Sequence, residues 1–138
     1  MNPSELEAFT LALDNVQRTE AYGYTFFFVG DDHMVPFVTL ADSDNEHDAV
    51  SHLNRDGVYR INIGVSRATF QALVGDVNRD AADHTALNVF LPHPHYAAQN
   101  FICILNPEGE NIEKTQDFIV EAHSIAVARH ARRAPKGE

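Results

Sequence analysis

Five consecutive residues, Phe101-Ile102-Cys103-Ile104-Leu105, are apolar whichever way an extended chain would turn them. Alternate side chains of a strand point to opposite sides, so such a run reads as a central strand covered on both faces. Asn106-Pro107-Glu108-Gly109 breaks it. Ile112, Thr115, Phe118, Ile119, Ala122, Ile125 and Ala126 then recur at helical spacing and predict a long closing helix with a narrow buried stripe.

The upstream periodicities supply the remaining layers. Ser4 and Glu7 have capping-box spacing, and Leu6, Phe9, Leu13 and Val16 predict an amphipathic helix over residues 5–18. Tyr24 to Val29 and Val35 to Leu40 read as strands of a hairpin turned by Gly30-Asp31-Asp32. Asp42 to Asp56 reads as an acidic surface loop, in which Ala49 to Leu53 has room for one helical turn. Val58 to Ile63 is a third strand, with Tyr59, Ile61 and Ile63 on one face and Val58, Arg60 and Asn62 on the other. Ser66 caps a short helix that Gly75 stops. Asp76 to His84 is a second acidic loop. Thr85 to Leu91 is expected to be extended, and the two prolines of Pro92-His93-Pro94-His95-Tyr96 to leave the regular ladder. The order predicts an α+β domain of two layers, a mostly antiparallel sheet packed by N- and C-terminal helices. No repeat or linker divides the chain, so residues 1–131 read as one domain and 132–138 as a basic, flexible tail.

A chain of 138 residues with 44% hydrophobic content sustains a core without staples. Its one cysteine, Cys103, forms no internal disulfide and sits where a thiol acts as a small buried hydrophobe. Met1-Asn2-Pro3-Ser4-Glu5 lacks the segments of a signal peptide, and no stretch approaches a membrane span. A cytoplasmic setting is the expectation. Four of the ten basic residues, Arg129, Arg132, Arg133 and Lys136, fall in the last ten positions beside Glu138. Six basic against nineteen acidic side chains remain in residues 1–128, a net charge of −13. Such a body repels phosphate, which disfavours nucleic acid and anionic membranes as partners. The basic C-terminus suits the negative end of a helix.

Neither acidic loop has the pattern of a calcium loop. Asp42, Asp44 and Glu46 are followed by His47 and Leu53, and Asp76, Asn78 and Asp80 by Ala81 and Leu87, where the loop needs Gly and Glu. No phosphate loop, nucleophile elbow or H-E-x-x-H helix is present. Two features remain. His93 and His95 lie two apart, so on extended backbone their imidazoles point the same way and could share a divalent metal such as zinc. Arg60 and Asn62 put polar groups on one face of an otherwise apolar strand, where a guanidinium either holds an anionic ligand or pairs with an acid.

Several segments come in a recognisable order: Pro36-Phe37-Val38-Thr39, Asp48 with Ser51 and Leu53, Gly57 through Val65, Pro92-His93-Pro94 with Tyr96, and Cys103 through Pro107. Together they resemble a family of small uncharacterised bacterial proteins known as a domain of unknown function, over residues 25–130. Phe101 stands where that pattern has Trp, and His95 where it has an apolar residue. More distantly, the turn, strand and final helix resemble MmcQ/YjbR-like proteins, a resemblance that implies a compact α+β fold and, for some, DNA binding.

The leading expectation is a non-enzymatic module that binds a small anionic ligand or serves as an accessory protein, without a cofactor. Arg60, Asn62, His93, Tyr96 and Thr39 are the candidate ligand-binding residues. The alternatives are a metal-assisted hydrolase using His93 and His95, and a nucleic-acid-binding protein.

Overall fold

Asn2, not Ser4, starts the first helix. The computed structural model describes residues 1–31 and 33–133, and in it α1 spans Pro3–Leu11. The Asn2 side chain accepts from the Glu5 amide at 2.9 Å, and the Glu5 carboxylate accepts from the Asn2 amide at 3.0 Å. Asparagine is among the best N-caps, and Pro3 fits the first helical position because its missing donor would be unpaired there anyway. The helix also ends early. Asn15 takes a left-handed φ of 60°, which turns the chain at the point where helical spacing alone predicts continuation to residue 18.

The next element is a strand that the periodicity does not predict. β1 (Val16–Ala21) pairs antiparallel with β2 (Tyr24–Val29) through a tight turn at Tyr22-Gly23, both with positive φ. Two consecutive positive-φ residues match the right-handed twist of a hairpin. β3 (Val38–Ala41) starts three residues later than expected, and Met34 and Val35 are exposed in the connection. β4 spans Arg60–Gly64, α2 Arg67–Val74 with Ser66 and Gly75 as its caps, and β6 Phe101–Leu105. Residues 49–53 form a turn and not a helix.

Of the segment expected to be extended, Thr85 to Leu91, only Leu91 joins the sheet, and with Pro92 it forms β5 (Leu91–Pro92) on β6. Asn88 has a φ of 60° and breaks the run before it. Pro92 stays in the ladder. The amide of the next residue, His93, donates to Phe101 O at 2.9 Å, so the ring nitrogen of Pro92 faces the open sheet edge, where no donor is required. Among the described residues six strands run in the order β1-β2-β3-β4-β6-β5, antiparallel throughout.

α3 (Glu110–Arg133) buries Thr115, Ile119, Ala122 and Ala126. With α1 and α2 it covers one face of the sheet, where Phe27, Val38, Ile61, Ile63, Ile102 and Ile104 form the main core. The α+β, two-layer architecture expected from the sequence is the one observed. Residues 132 and 133 belong to α3, and residues 134–138 of the expected tail lie outside the described residues. Among the described residues no helix is long and apolar enough to cross a membrane. The second face of the sheet carries Tyr24, Phe26, Thr39, Arg60, Asn62 and Cys103, and it is covered by loops and a 3-10 turn at Ala97–Gln99 instead of α-helices.

Candidate functional site

On this second face, strand register sets the polar row. Thr39 lies beside Asn62, and Asn62 beside Cys103. The acidic loop 42–56 folds back over Arg60, pinned by reciprocal backbone bonds between Asn45 and Asp48 at 3.1 and 3.2 Å. Arg60 is completely enclosed. Its Nη1 donates to Asp48 Oδ1 at 3.2 Å and to Ser51 Oγ at 2.9 Å, and its Nη2 donates to Asp48 Oδ2. Its Nε donates to Asn62 Oδ1 at 2.9 Å.

Burial alone would neutralise both partners, but each outweighs that cost for the other. Burial works against the Asp48 charge, yet the hydrogen bonds and charge of Arg60 hold its carboxyl below the usual range. Asp48 likewise keeps Arg60 protonated in spite of burial. The Tyr24 hydroxyl also donates to Asp48. Burial first, and then that bond to a carboxylate, push the Tyr24 pKa up to about 12.

The amide of Asn62 is oriented by this arrangement. Arg60 only donates, so Asn62 presents Oδ1 to it and turns Nδ2 toward Thr39, donating to Oγ1 at 2.8 Å. Thr39 Oγ1 is thereby an acceptor on its inner side, and its hydroxyl proton is left to donate elsewhere.

The P-H-P-H-Y turn approaches from the other edge. His93 is buried, and its Nδ1 accepts from the backbone amides of His95 and Tyr96, both at 3.0 Å. The ring proton therefore sits on Nε2. Burial, and after it the nearby Arg60 charge, lower the His93 pKa to about 3, so the ring is neutral at ordinary pH. A metal at Nε2 would require the proton to move to Nδ1, at the expense of both backbone bonds. The His93 and His95 ring centres are 6.0 Å apart and tilted by 58°. His84 is engaged with Pro92 O at 2.9 Å, and His95 lies 3.8 Å from Asp48 Oδ1. Among the described residues no three His, Cys, Asp or Glu side chains are grouped as a metal site needs. Cys103 is enclosed, and burial raises its thiol to about 12, which leaves it inert.

Loop and turn together enclose a cavity of about 580 Å³. Tyr24, Phe26, Phe101 and Tyr96 supply aromatic walls, and Met34, Val35 and Pro36 form an apolar lip. Thr39, Asp48, His93 and His95 supply polar groups. Four sequence candidates thus converge: Thr39, His93, Tyr96 and His95 all line this space. Arg60 and Asn62 do not line it. They lie beneath it, with the guanidinium committed to Asp48, Ser51 and Asn62.

Tyr24, Phe26, Met34 and Asp48 line the cavity without standing out in the sequence as site residues. Asp48 and Ser51 do leave a signal, since both belong to the pattern of the family resemblance. The aromatic residues leave none, because alternate large side chains in a strand read equally well as core. No curated protein and no solved structure matches the chain, and the MmcQ/YjbR-like resemblance thus finds no counterpart there. A family model does match, covering residues 1–135, and the chain belongs to that family of unknown function, DUF6194.

Proposed function

We propose that the protein is a small-molecule-binding module that acts by holding its ligand and not by turning it over. The carrying observation is the cavity of about 580 Å³, whose walls are aromatic and whose polar groups are few and positioned by buried partners. That combination is typical of ligand sites, which pair an apolar lining with a small number of placed polar groups.

The binding reading is favoured over a hydrolase by the state of His93. A ring whose Nδ1 is occupied and whose Nε2 keeps its proton is a hydrogen-bond donor, not a base or a metal ligand. The anionic ligand expected from Arg60 is not favoured, because Asp48 already neutralises that charge. The DNA binding implied by the MmcQ/YjbR-like resemblance gains no support from this face of the sheet.

A fragment screen read by backbone amide chemical shifts tests the proposal. Uncharged aromatic fragments at millimolar concentration should perturb residues 22–26, 34–39 and 93–101 together. Tyr96→Ala, which removes a largely exposed wall residue, should weaken those shifts without unfolding the protein. Fragments that perturb no residues of this cluster would sink the reading.

A further inference from the structure

The charge of Arg60 does not reach the cavity directly, but its polarity does. A directed chain of donors runs from Arg60 Nε to Asn62 Oδ1, at 2.9 Å, and from Asn62 Nδ2 to Thr39 Oγ1, at 2.8 Å. Every link has its direction fixed by the one before, because a guanidinium has no acceptor. The last member, the Thr39 hydroxyl, accepts from Asn62 and so keeps its own proton for another acceptor, and Thr39 lines the cavity. Across the same cavity His93 is fixed in the tautomer that offers an Nε2 proton, because two backbone amides occupy Nδ1. Thr39 is 9% exposed and His93 3% exposed, and both residues line the space. Buried donors of this kind are costly to leave without an acceptor.

We infer that the ligand is an uncharged, flat, largely apolar molecule bearing a carbonyl oxygen, which accepts from Thr39 Oγ1 and His93 Nε2 while its body lies between the aromatic walls. This rests on the reading of the cavity as a ligand site and adds the chemistry of the ligand. A carbonyl matches two donors with its two lone pairs. A carboxylate matches them too, but it carries a full charge beside the Asp48 carboxylate, into a site where the buried Arg60 cation is already paired with Asp48, in a chain with a net charge of −10. Burying that charge without a counter-ion is unfavourable. A hydrocarbon would leave both donors unsatisfied.

Three probes of nearly equal shape separate these cases: acetophenone, benzoate and ethylbenzene, each titrated into the protein by amide chemical shifts. Acetophenone should bind about tenfold more tightly than ethylbenzene, as expected for two neutral hydrogen bonds of modest net strength. It should also bind more tightly than benzoate. Thr39→Val should cut the preference for acetophenone over ethylbenzene several-fold, while Thr39→Ser should keep it. Because Thr39→Val also strips Asn62 of its acceptor, the wild-type ratio and the Ser variant decide the matter if the Val variant is unstable. Equal binding of ethylbenzene and acetophenone would refute the donor assignment while leaving the cavity a site. Tighter binding of benzoate would refute the charge argument. Absence of shifts in the cavity with all three probes would remove the ligand-site reading itself.

Discussion

Removing one member of the Arg60–Asp48 pair leaves the other as a charge enclosed beneath loop 42–56. Arg60→Ala and Asp48→Ala should each cost about 3–5 kcal/mol in urea unfolding, the range for breaking a buried pair from one side. A double variant, Arg60→Met with Asp48→Leu, should be less destabilised than either single one, because no orphan charge remains. Additive losses would show that the pair is not an energetic unit. His93 makes a different demand. Its folded pKa of about 3 lies below the ordinary 6.5, so the unfolded chain binds the proton more readily. Its contribution to stability is therefore complete above pH 6.5 and is lost as the pH falls toward 3. Stability should fall with acidification by up to about 1.4 kcal/mol per pH unit for this one proton. His93→Asn, which keeps an acceptor for the two backbone amides, should flatten that slope between pH 6 and 4. Identical slopes in urea titrations of the two proteins would mean that His93 is not held neutral. At this scale the sequence marks Arg60 as either a ligand group or half of an ion pair. It cannot choose, because the partner lies twelve positions away in a loop with no periodicity of its own.

The legible elements are those whose periodicity is matched by burial on a single face. Tyr59, just before β4, and Ile61 and Ile63 within it turn toward the helices while Arg60 and Asn62 turn away, and β6 is covered on both sides as its composition demands. α3 buries a narrow stripe of mostly small residues, again as its spacing predicts. β1 is illegible for the converse reason. It is an edge strand with Gln17, Arg18, Thr19 and Glu20 all exposed, so no alternation marks it, and Val16 lends itself to the preceding helical pattern. β1 is fixed by the Tyr22-Gly23 turn and by the cross-connection of Arg18 to Glu7, at 3.1 Å, on α1. The stretch from 85 to 90 misleads in the opposite sense. Its apolar residues Leu87 and Val89 are exposed, and the carbonyl and side chain of Asn88 hold Asn111 at the start of α3, while its amide donates to Leu105 O of β6 at 2.6 Å. Turn chemistry overrides strand propensity there.

For the whole molecule, sheet topology decides where chemistry can sit. Among the described residues three helices cover one face, and the aromatic-walled cavity lies on the other, where β3, β4 and β6 are roofed by segments far apart in sequence. Which loops meet there is a matter of strand order, and hydrophobic patterning does not encode strand order. Charge, by contrast, is legible from the sequence alone and gives the last prediction. Residues 1–128 carry six basic and nineteen acidic side chains, and the described end of α3 places His130, Arg132 and Arg133 in its last turn. Cations there are stabilised by the partial negative charge of the helix terminus, which gives them a structural role without any nucleic acid. Duplex affinity rests on Lys and Arg displacing counterions from the backbone, and a body of net charge −13 opposes that approach. Fluorescence anisotropy with a random 20-base-pair duplex, at about 150 mM salt, should therefore give a Kd no tighter than the ~10⁻⁴–10⁻⁶ M of non-specific contacts. Arg132→Gln with Arg133→Gln should change it little. A submicromolar, sequence-selective complex that the double variant abolishes would instead make the end of α3 a nucleic-acid arm, and would show that local basic charge outweighs the acidity of the body.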